Sequence, residues 1–471
     1  TIYFLHYCER YRITIAARKI SVFFITLIYF LKGDEDMGIF SKHMNSIHVA
    51  HHKGTSGSES VVMPVPEKVY ISMSQHIGRP CQPLVKKGDL VKVGQLIGDV
   101  DAPISAPIYS SASGEVVAIE EARGAMGSVD TYVVIATDGK QEPAEGLVPP
   151  VCETREDFIK AVRASGVVGL GGASFPTHVK LNPANLNEID TLVVNAAECE
   201  PFITSDHRNM LECTDDIVGG IKLIMKYLEL KKCYIGIENN KPDAIAVMKE
   251  EVRDLPGVEV TELRSTYPQG AERVLIWETA GNTLKAGQLP ASVGCILSNV
   301  TTILKIGEYF RTGMPMVSRK LTVAGDAIKN PGNIIVPLGT KYYDLAEFCG
   351  GYAVPPKKII AGGPMMGKAQ ASDGSVVVKN TGSVLFFSEK EARKLEPTPC
   401  INCGRCYRAC PINLMPMEFS RAFEAGDAQR LKDLQVMECM GCGSCSYVCP
   451  AKKDLCFVNT LAKGLVKGAG L

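Results

Sequence analysis

The chain has 471 residues, 46% of them hydrophobic and 22% charged, and its formal net charge at pH 7 is zero. This length predicts about three or four domains of roughly 100–200 residues each, and the balanced charge argues against nucleic acid as a partner. Of the 17 cysteines, eight stand in two runs near the C-terminus and nine are scattered, which is typical of a reducing compartment rather than of a disulfide-stabilised secreted protein. We expect the scattered cysteines to be small buried hydrophobic residues rather than ligands: Cys8, Cys81, Cys152, Cys199, Cys213, Cys233, Cys295, Cys349 and Cys456.

The N-terminal extension, residues 1–62, contains two unusual stretches. Residues 20–31 are an uncharged, mostly apolar run of twelve, which is too short for a bilayer, since a spanning helix needs about 20 residues. Because Met37-Gly-Ile-Phe resembles a natural start, we interpret residues 1–36 as non-native upstream sequence, with a signal peptide or membrane anchor as the alternative. Residues 41–60 combine four histidines with Ser and Gly, and we expect a mobile polar arm here rather than a metal site.

Residues 63–146 consist of short β-type runs separated by Gly and Pro. The runs at 85–97 and 106–117 resemble the flattened barrel of biotinyl and lipoyl carrier domains. Those domains present a modified lysine on a hairpin, but no lysine stands between Lys92 and Lys140. We therefore predict a lipoyl/biotinyl-like barrel-sandwich module with a structural or docking role instead of a carrier function.

Residues 147–318 have the alternating pattern of an α/β domain. Thr154 begins a segment that resembles a capping box and predicts the start of a helix. The apolar runs at 191–195 and 233–237 predict buried strands, with helices between and after them.

Residues 319–378 return to β-type runs. A hairpin about the turn at 330–333 and a short helix at 343–349 predict a β-grasp module, similar to the soluble-ligand-binding β-grasp (SLBB) domain. Residues 379–471 are expected to form a mainly helical, ferredoxin-like domain. The predicted fold class is therefore multidomain α/β and α+β.

The last domain carries two cysteine runs of the same spacing, C-x2-C-x2-C-x3-C-P, at 400–411 and 439–450. Such runs bind a pair of [4Fe-4S] clusters, and the fourth cysteine of each run reaches across to the other cluster. Zinc knuckles are a poorer match because closed zinc sites favour pairs of C-x2-C, and disulfides are the other alternative. The spacing predicts two clusters, one held by Cys400, Cys403, Cys406 and Cys449, the other by Cys439, Cys442, Cys445 and Cys410.

A glycine-rich stretch at 166–180 is the second feature that indicates a ligand. Glycines let backbone N–H groups approach a phosphate or a flat ring, and Lys180 supplies positive charge. The stretch is not the Rossmann fingerprint, because Ser174 stands where the third glycine belongs and a helix precedes it. By itself it fits either a ligand-binding loop or an ordinary turn.

Three shorter motifs accompany this loop. The segment 195–201 carries Glu198 and Glu200 just after an apolar strand, which is where ligands of α/β sheets bind; a solvated cluster of acids at a helix start is the alternative. The other two motifs are the turn at 267–273 and the Ser-Asn-Val-Thr-Thr segment at 298–302.

Together, and in this order, these motifs resemble the flavin- and NADH-binding subunit of respiratory complex I. In that family a GxGGAGFPTxxK loop, an NADxxEP strand end, a YxxGEE turn and an NNVxT segment surround FMN and the nicotinamide. Three positions here depart from that pattern, Ala197, Ala271 and Leu181, and we expect flavin binding to tolerate them better than nicotinamide binding. The resemblance implies that FMN is lined by Gly169, Gly171, Gly172, Lys180, Asn195, Gly270, Asn299 and Thr302, that Phe175, Glu200 and Glu272 face NADH, and that Glu198 and Tyr267 belong to the same cofactor-binding site.

From Met63 to the C-terminus, the order of modules is more closely similar to the C subunits of the Rnf family, the ion-translocating ferredoxin:NAD+ oxidoreductases. The shared motifs are GLGGASFPTHVKL at 169–181, NAAECEP at 195–201 and the two cysteine runs. Corrinoid reductases of propanediol microcompartments also carry GGAGFPTHVKL and NAAECEP. The barrel at 63–146 and the regular second cysteine run favour the Rnf family.

This resemblance implies an electron-transfer subunit, peripheral at the cytoplasmic face of the cell membrane, that exchanges hydride between NAD(H) and FMN and passes single electrons through two [4Fe-4S] clusters. The implied partners are the membrane and ferredoxin-like subunits of the complex, NADH and, indirectly, ferredoxin. Transport of Na+ or H+ would belong to the membrane subunits, and no general acid or covalent nucleophile is expected. A soluble flavin-dependent corrinoid reductase and a non-catalytic electron relay are the alternatives.

Overall fold

The computed structural model describes residues 43–123, 129–285 and 287–471. The interpretation of residues 1–36 as upstream sequence lies outside the described residues. Within the described ranges, none of the helices is long and apolar enough to serve as a membrane span.

The N-terminal arm, residues 45–62, is ordered, so the expectation of a mobile polar arm was wrong. Ile47 and Val49 are buried, and the backbone of Ile47 exchanges two hydrogen bonds of 2.8 Å with that of Tyr267. The arm ends in β1 (Val61–Val62), which pairs in parallel with residues 334–335. The arm is held by these backbone contacts and by its two buried apolar side chains, which pack against Tyr267 and Ala409; its overall polar composition gave no sign of them.

Residues 63–146 form the expected barrel-sandwich. Two sheets, of order β2-β8-β7-β4 and β3-β5-β6, enclose a core that includes Val69, Ile71, Ile97 and Ile135. The strands are β2 (Lys68–Ser72), β3 (Gln82–Pro83), β4 (Leu90–Val91), β5 (Leu96–Asp99), β6 (Ile108–Tyr109), β7 (Gly114–Arg123) and β8 (Val129–Thr137).

The α/β module is built on a parallel four-stranded sheet of order β11-β10-β9-β12. Its first helix begins at the N-cap Thr154, where the predicted capping box with Asp157 is present. Because Asn195 and Asn299 are register partners at the carboxyl ends of β9 and β12, the sheet places both side chains at one edge. The elements are α1 (Arg155–Ala164), α2 (Thr177–Lys180), β9 (Thr191–Asn195), α3 (Ser205–Glu212), α4 (Thr214–Tyr227), β10 (Lys232–Glu238), α5 (Pro242–Val252), β11 (Val258–Leu263), α6 (Glu272–Ala280), β12 (Cys295–Asn299) and α7 (Val300–Thr312).

The β-grasp module contains the predicted hairpin and short helix, but its sheet is larger than expected. The sheet has the order β1-β14-β13-β17-β15-β16, so it takes one strand from the N-terminal arm and another from residues beyond 378. The predicted boundary at 378 was wrong, because the apolar run at 383–387 pairs with β13 and β15. The elements are β13 (Ser318–Ala324), β14 (Gly332–Pro337), α8 (Tyr342–Phe348), β15 (Lys358–Ala361), β16 (Lys368–Gln370) and β17 (Ser383–Phe387).

The remaining residues form short helices around the two cysteine runs. Phe419, Leu431, Ala462 and Val466 make their core, with Cys410 at its edge. The helices are α9 (Glu389–Ala392), α10 (Arg405–Arg408), α11 (Pro416–Glu424), α12 (Ala428–Asp433), α13 (Ser444–Tyr447) and α14 (Leu455–Gly468). Residues 400–471 are called the dicluster domain below.

A buried lysine joins three of these modules. The ε-amino group of Lys379 donates hydrogen bonds of 2.7 Å to the carbonyls of Pro107, in the barrel, and Gly166, in the α/β module. Its backbone N–H donates to Oε1 of Gln75 at 3.0 Å. Burial lowers the pKa of Lys379 to about 7, since the charged form has lost its hydration.

This lysine should give the fold a measurable pH dependence. Between the folded-state pKa of about 7 and the ordinary value of 10.5, the unfolded chain binds the proton that the folded chain has lost. The free energy of unfolding of the parent, relative to Lys379→Met, should therefore rise with pH in this window by at most about 1.4 kcal/mol per pH unit. Thermal unfolding midpoints of both proteins at pH 7 and pH 9.5 check this, with the exposed Lys390→Met as control; a difference that is flat or falls with pH would contradict it.

Candidate functional site

The edge of the parallel sheet brings together the predicted Asn195, Gly270 and Asn299. Asn195 donates from Nδ2 to the carbonyl of Gly270 at 2.9 Å and accepts from the backbone N–H of Ala197 at 3.2 Å. Asn299 donates from Nδ2 to Oδ2 of Asp206 at 2.8 Å. Both amides are thereby fixed in orientation at the carboxyl ends of their strands, which is where ligands of such sheets bind.

The glycine-rich loop lies against this edge. A Cβ atom added to Gly171 would stand 2.9 Å from Cβ of Asn299, whereas one added to Gly172 would meet open space. Leu170 donates its backbone N–H to Oγ1 of the buried Thr302 at 3.0 Å, and the backbone N–H of Gly169 donates to the carbonyl of Phe175 at 2.8 Å. The loop therefore offers an exposed glycine backbone beside two oriented asparagines, a surface that a flat ring or a phosphate can approach closely.

Lys180 and Glu272 face each other across the site. Lys180 ends α2, Glu272 begins α6, and Nζ of the lysine lies 3.9 Å from Oε2 of the glutamate. Burial lowers the pKa of Lys180, and the carboxylate of Glu272 opposes that shift. A cation and an anion, each partly exposed, thus remain within reach of a ligand.

Glu198 serves the fold at this site. Its carboxylate accepts the backbone N–H groups of Asp206 at 2.6 Å and His207 at 3.3 Å, which satisfies the first turn of α3. Burial raises the pKa of Glu198 to about 7, and Lys53 opposes that shift.

Lys53 is a site residue that the sequence analysis missed. Its ε-amino group donates to the carbonyls of Glu198 at 2.8 Å, Glu200 at 2.9 Å and Ile203 at 2.5 Å. The lysine belongs to the N-terminal arm, and it fixes the loop that follows β9. No local motif marked it, because its partners stand about 150 positions further along the chain.

Glu200 is engaged by the β-grasp module. Its two carboxylate oxygens accept the backbone N–H groups of Met365 at 3.0 Å and Met366 at 2.9 Å. A Cβ atom at Gly363 would lie only 2.2 Å from Oε2 of Glu200. The loop at 362–367 therefore covers the residue that was expected to face NADH, and its Gly-Gly-Pro-Met-Met-Gly sequence was an available signal for this close approach.

The three residues that depart from the complex I pattern have different surroundings in the structure. Leu181 is buried in the core of the α/β module, and Ala271 precedes α6 without a side-chain cap. At Ala197 the carbonyl accepts a 2.6 Å hydrogen bond from Nζ of the buried Lys241. Lys241 also pairs with Glu238 at 2.9 Å, so a buried lysine lies beside the position at which that family has aspartate.

The turn that carries Tyr267 and Gly270 also contacts the dicluster domain. Tyr267 is buried, and its hydroxyl donates to the carbonyl of Cys442 at 2.7 Å. On the following helix Arg273 makes an ion pair of 2.5 Å with Glu438. The candidate flavin site thus directly adjoins one of the two cysteine runs.

Four of the predicted cluster ligands line one cavity, whose empty space, open solvent included, is about 350 Å³. They are Cys439, Cys442 and Cys445 of the second run and Cys410 of the first run. Burial raises the pKa of the Cys410 thiol, and the nearby Cys442 and Cys439 raise it further. The cavity, its thiols and the crossing cysteine fit a [4Fe-4S] cluster as the spacing predicts, and this place is called the inner cluster site below.

Cys456 also lines the inner cluster site. We expected it to be a small buried hydrophobic residue, and its position outside both cysteine runs gave no signal for this location. Its Sγ donates to the carbonyl of Gly441 at 3.3 Å.

The other four predicted cluster ligands are all partly exposed, and their place is called the outer cluster site below. Burial raises the pKa of the Cys406 thiol, and Cys449 of the second run raises it further, so the crossing cysteine again lies close by. Cys400 accepts the backbone N–H of Asn402 at 3.4 Å, and Cys403 accepts at its carbonyl from Arg408 at 3.1 Å. In the described part of the chain, no three His, Cys, Asp or Glu side chains converge as ligands of a single metal ion.

Each module of the chain matches a known protein family. The RnfC barrel-sandwich hybrid domain matches residues 42–140, the Nuo51 FMN-binding domain matches 162–308, the SLBB domain matches 320–369 and the 4Fe-4S dicluster domain matches 399–453. These matches confirm the predicted fold class and the predicted cofactor types, FMN and a pair of [4Fe-4S] clusters.

Individual relatives cover most of the chain. The C subunit of the proton-translocating ferredoxin:NAD(+) oxidoreductase complex of Clostridium ljungdahlii is 42% identical over 78% of this chain and 81% of its own length. The C subunit of the Na(+)-translocating complex of Acetobacterium woodii is 42% identical over 75% and 81%, and that of the ion-translocating oxidoreductase complex of Rhodobacter capsulatus is 36% identical over 81% and 75%. With this identity and coverage, the chain belongs to the family of C subunits of ion-translocating ferredoxin:NAD+ oxidoreductase complexes.

Proposed function

We propose that this chain exchanges hydride between NAD(H) and FMN and passes single electrons between the flavin and two [4Fe-4S] clusters. Support comes from the FMN-binding and dicluster matches and from the names of the relatives, which are subunits of ferredoxin:NAD(+) oxidoreductases. Bound FMN supplies the conversion between a two-electron hydride and single electrons. The chain itself binds, orients and separates the redox groups.

One contact carries this proposal, the hydrogen bond from Tyr267 to the carbonyl of Cys442. It supports an electron path in which the inner cluster site exchanges electrons with the flavin, and the outer cluster site exchanges them with a partner. The thiols of the outer cluster site are more exposed than those of the inner site, which is consistent with electron exchange between the outer cluster and a partner. The ion pair between Arg273 and Glu438 strengthens the same junction.

The proposed flavin site is the exposed backbone of the glycine-rich loop, beside the carboxyl ends of β9 and β12. We assign to it Gly169, Gly171, Gly172, Lys180, Asn195, Gly270, Asn299 and Thr302. The fixed amides of Asn195 and Asn299 and the exposed backbone of Gly172 supply hydrogen-bonding groups and space for a flat ring. Glu198 and Tyr267 act by positioning this site, since their polar atoms are used by α3 and by Cys442.

The proposed nicotinamide side is formed by Phe175 and Glu272. Phe175 is half-buried at the end of the glycine-rich loop, and among the described residues Glu272 pairs with Lys180 at 3.9 Å. Glu200 acts indirectly, because its carboxylate is bonded to the loop at 362–367.

We further propose that the chain works as a peripheral subunit at the cytoplasmic face of the membrane. The relatives are subunits of multi-subunit complexes, so membrane and ferredoxin-like subunits are the proposed partners, with ferredoxin reached through them. One relative is named proton-translocating and another Na(+)-translocating, and that transport would be a property of partner subunits. Cluster ligation by thiolates requires a reducing compartment, which agrees with a cytoplasmic location.

The engagement of Glu200 favours a second candidate, an electron relay that binds FMN but not nicotinamide. Its carboxylate accepts two backbone hydrogen bonds and is half-buried, so it would be free to contact NADH only if the loop at 362–367 moved. The two candidates make opposite predictions for the reaction with NADH.

Addition of NADH to the anaerobically reconstituted chain tests the choice between them. We expect rapid bleaching of bound flavin followed by cluster reduction, and at least a tenfold slower bleaching in Glu272→Gln, since one carboxylate hydrogen-bond partner of the nucleotide would be lost. Stopped-flow absorbance measures both steps, and the exposed Glu250→Gln serves as the matched control. Flavin that dithionite bleaches but NADH does not would establish the relay and remove nicotinamide from the proposal.

Two cysteine variants test the crossed ligation and the electron order together. Cys410→Ser should remove the inner cluster and Cys449→Ser the outer one, each leaving about four of eight irons. Flavin reduced by NADH should still pass electrons rapidly to the remaining cluster in Cys449→Ser but not in Cys410→Ser. Iron content and stopped-flow spectra measure this, with Cys152→Ser as the control, and exchanged phenotypes would show that each run holds its own cluster.

A further inference from the structure

One face of the C-terminal helix α14 is directed at the inner cluster site. Cys456, Asn459 and Lys463 follow one another at helical spacing on that face, and each contacts the loop from Cys439 to Cys445. Cys456 donates from Sγ to the carbonyl of Gly441. Asn459 donates from Nδ2 to Sγ of Cys439 at 3.7 Å, and Lys463 donates from Nζ to the carbonyl of Cys439 at 2.5 Å.

Asn459 is an unusual residue for a helix core. Its side chain lines the cavity of the inner cluster site and is 1% exposed. Within the described residues its Oδ1 accepts no hydrogen bond, and an unsatisfied buried polar atom destabilises a fold. Packing alone would be served better by leucine, so the amide calls for another explanation.

The chemistry of a cluster ligand provides that explanation. A cysteine that ligates iron is a thiolate and can only accept hydrogen bonds, so an amide N–H directed at Cys439 is a matched donor. Reduction adds one negative charge to the cluster and its thiolates. Hydrogen bonds to the sulfurs stabilise that added charge and are among the factors that set the potential.

We propose that Asn459, supported by Lys463, raises the reduction potential of the inner cluster above that of the outer one. Asn459 acts through the thiolate of Cys439, and the ammonium of Lys463 adds a positive charge at the same residue. Both groups favour the reduced cluster over the oxidised one. They are positioning residues for electron transfer, and both contact Cys439.

At the outer cluster site the side-chain amide of Asn402 also lies beside a ligand, but it presents its oxygen to Sγ of Cys400 at 3.7 Å and so donates no hydrogen bond to the sulfur. Cys400 accepts a backbone N–H from Asn402, and the amide oxygen of Asn402 accepts from Arg421. The nearby Arg408 and Arg421 are exposed to solvent, where charge effects are screened. The asymmetry between the sites therefore comes from α14. This difference builds on the proposed function, because it assigns the inner cluster as the one that accepts and holds an electron from the flavin.

A redox titration of the anaerobically purified, cluster-loaded chain, followed by electron paramagnetic resonance, tests this proposal. We expect Asn459→Leu to shift the midpoint of one cluster to a more negative potential and to leave the other unchanged. Lys463→Met should shift the same cluster in the same direction by less. Cys410→Ser, which should lack the inner cluster, identifies the signal, and Thr460→Val, at an exposed position of the same helix, should leave both midpoints in place.

Unchanged midpoints in Asn459→Leu with full iron content would overturn the proposal, as would a shift confined to the outer cluster. If Asn459→Leu loses iron, the midpoint potentials of Lys463→Met test the proposal instead. Lys463 lies outside the cavity lining, so this variant is expected to assemble both clusters. A midpoint in that variant equal to the parent's would then overturn the proposal. The titration uses dithionite and mediators, so it is independent of whether NADH reduces the flavin.

Discussion

The buried junction between the Tyr267 turn and the loop that carries Cys442 is the contact on which the rest of the arrangement depends. The apolar part of the junction combines Ile47 and Val49 of the N-terminal arm, Tyr267 of the α/β module and Ala409 of the dicluster domain. Asn45, at the start of the arm, donates to the carbonyl of Cys410 at 3.1 Å. Since the carbonyls of two ligands of the inner cluster site are hydrogen-bonded in this way, the junction fixes that site relative to the candidate flavin site.

Buried lysines hold the modules in the same relation. Lys53 and Lys379 donate mainly to backbone carbonyls of neighbouring modules rather than to carboxylates. Burial of an ammonium group is unfavourable unless several hydrogen bonds replace its hydration, and three carbonyls around Lys53 do so. Because several hydrogen bonds to one ammonium group must form at once, such a contact favours one arrangement of the modules over others. Precise docking is what electron exchange between a flavin and a cluster requires.

The features that could be predicted from the sequence are those encoded by local spacing. The cysteine runs, the capping box at Thr154 and the strand at 191–195 each depend on residues within about a dozen positions, and the family matches confirm the module types. The interactions of Lys53, Glu200 and Asn459 could not be predicted in this way. Lys53 and Glu200 contact segments some 150 positions away, and Asn459 reads as an ordinary helix residue until α14 is placed against the cavity. The polar composition of the arm was misleading, because its two buried apolar side chains, the hydrogen bonds of Lys53 and the pairing of β1 together hold it in place.

Two effects act in opposite directions on the reduction potential of the inner cluster. An apolar, largely buried cavity disfavours the extra negative charge of a reduced cluster, so burial alone would give the inner site the lower potential. Electrons would then avoid the cluster nearest the flavin. The amide that donates to the thiolate of Cys439 and the ammonium that donates to its carbonyl both counteract this unfavourable effect of burial. The low dielectric constant of the buried site strengthens both interactions. The helix that closes the cavity is therefore also the element able to make the buried site accept an electron.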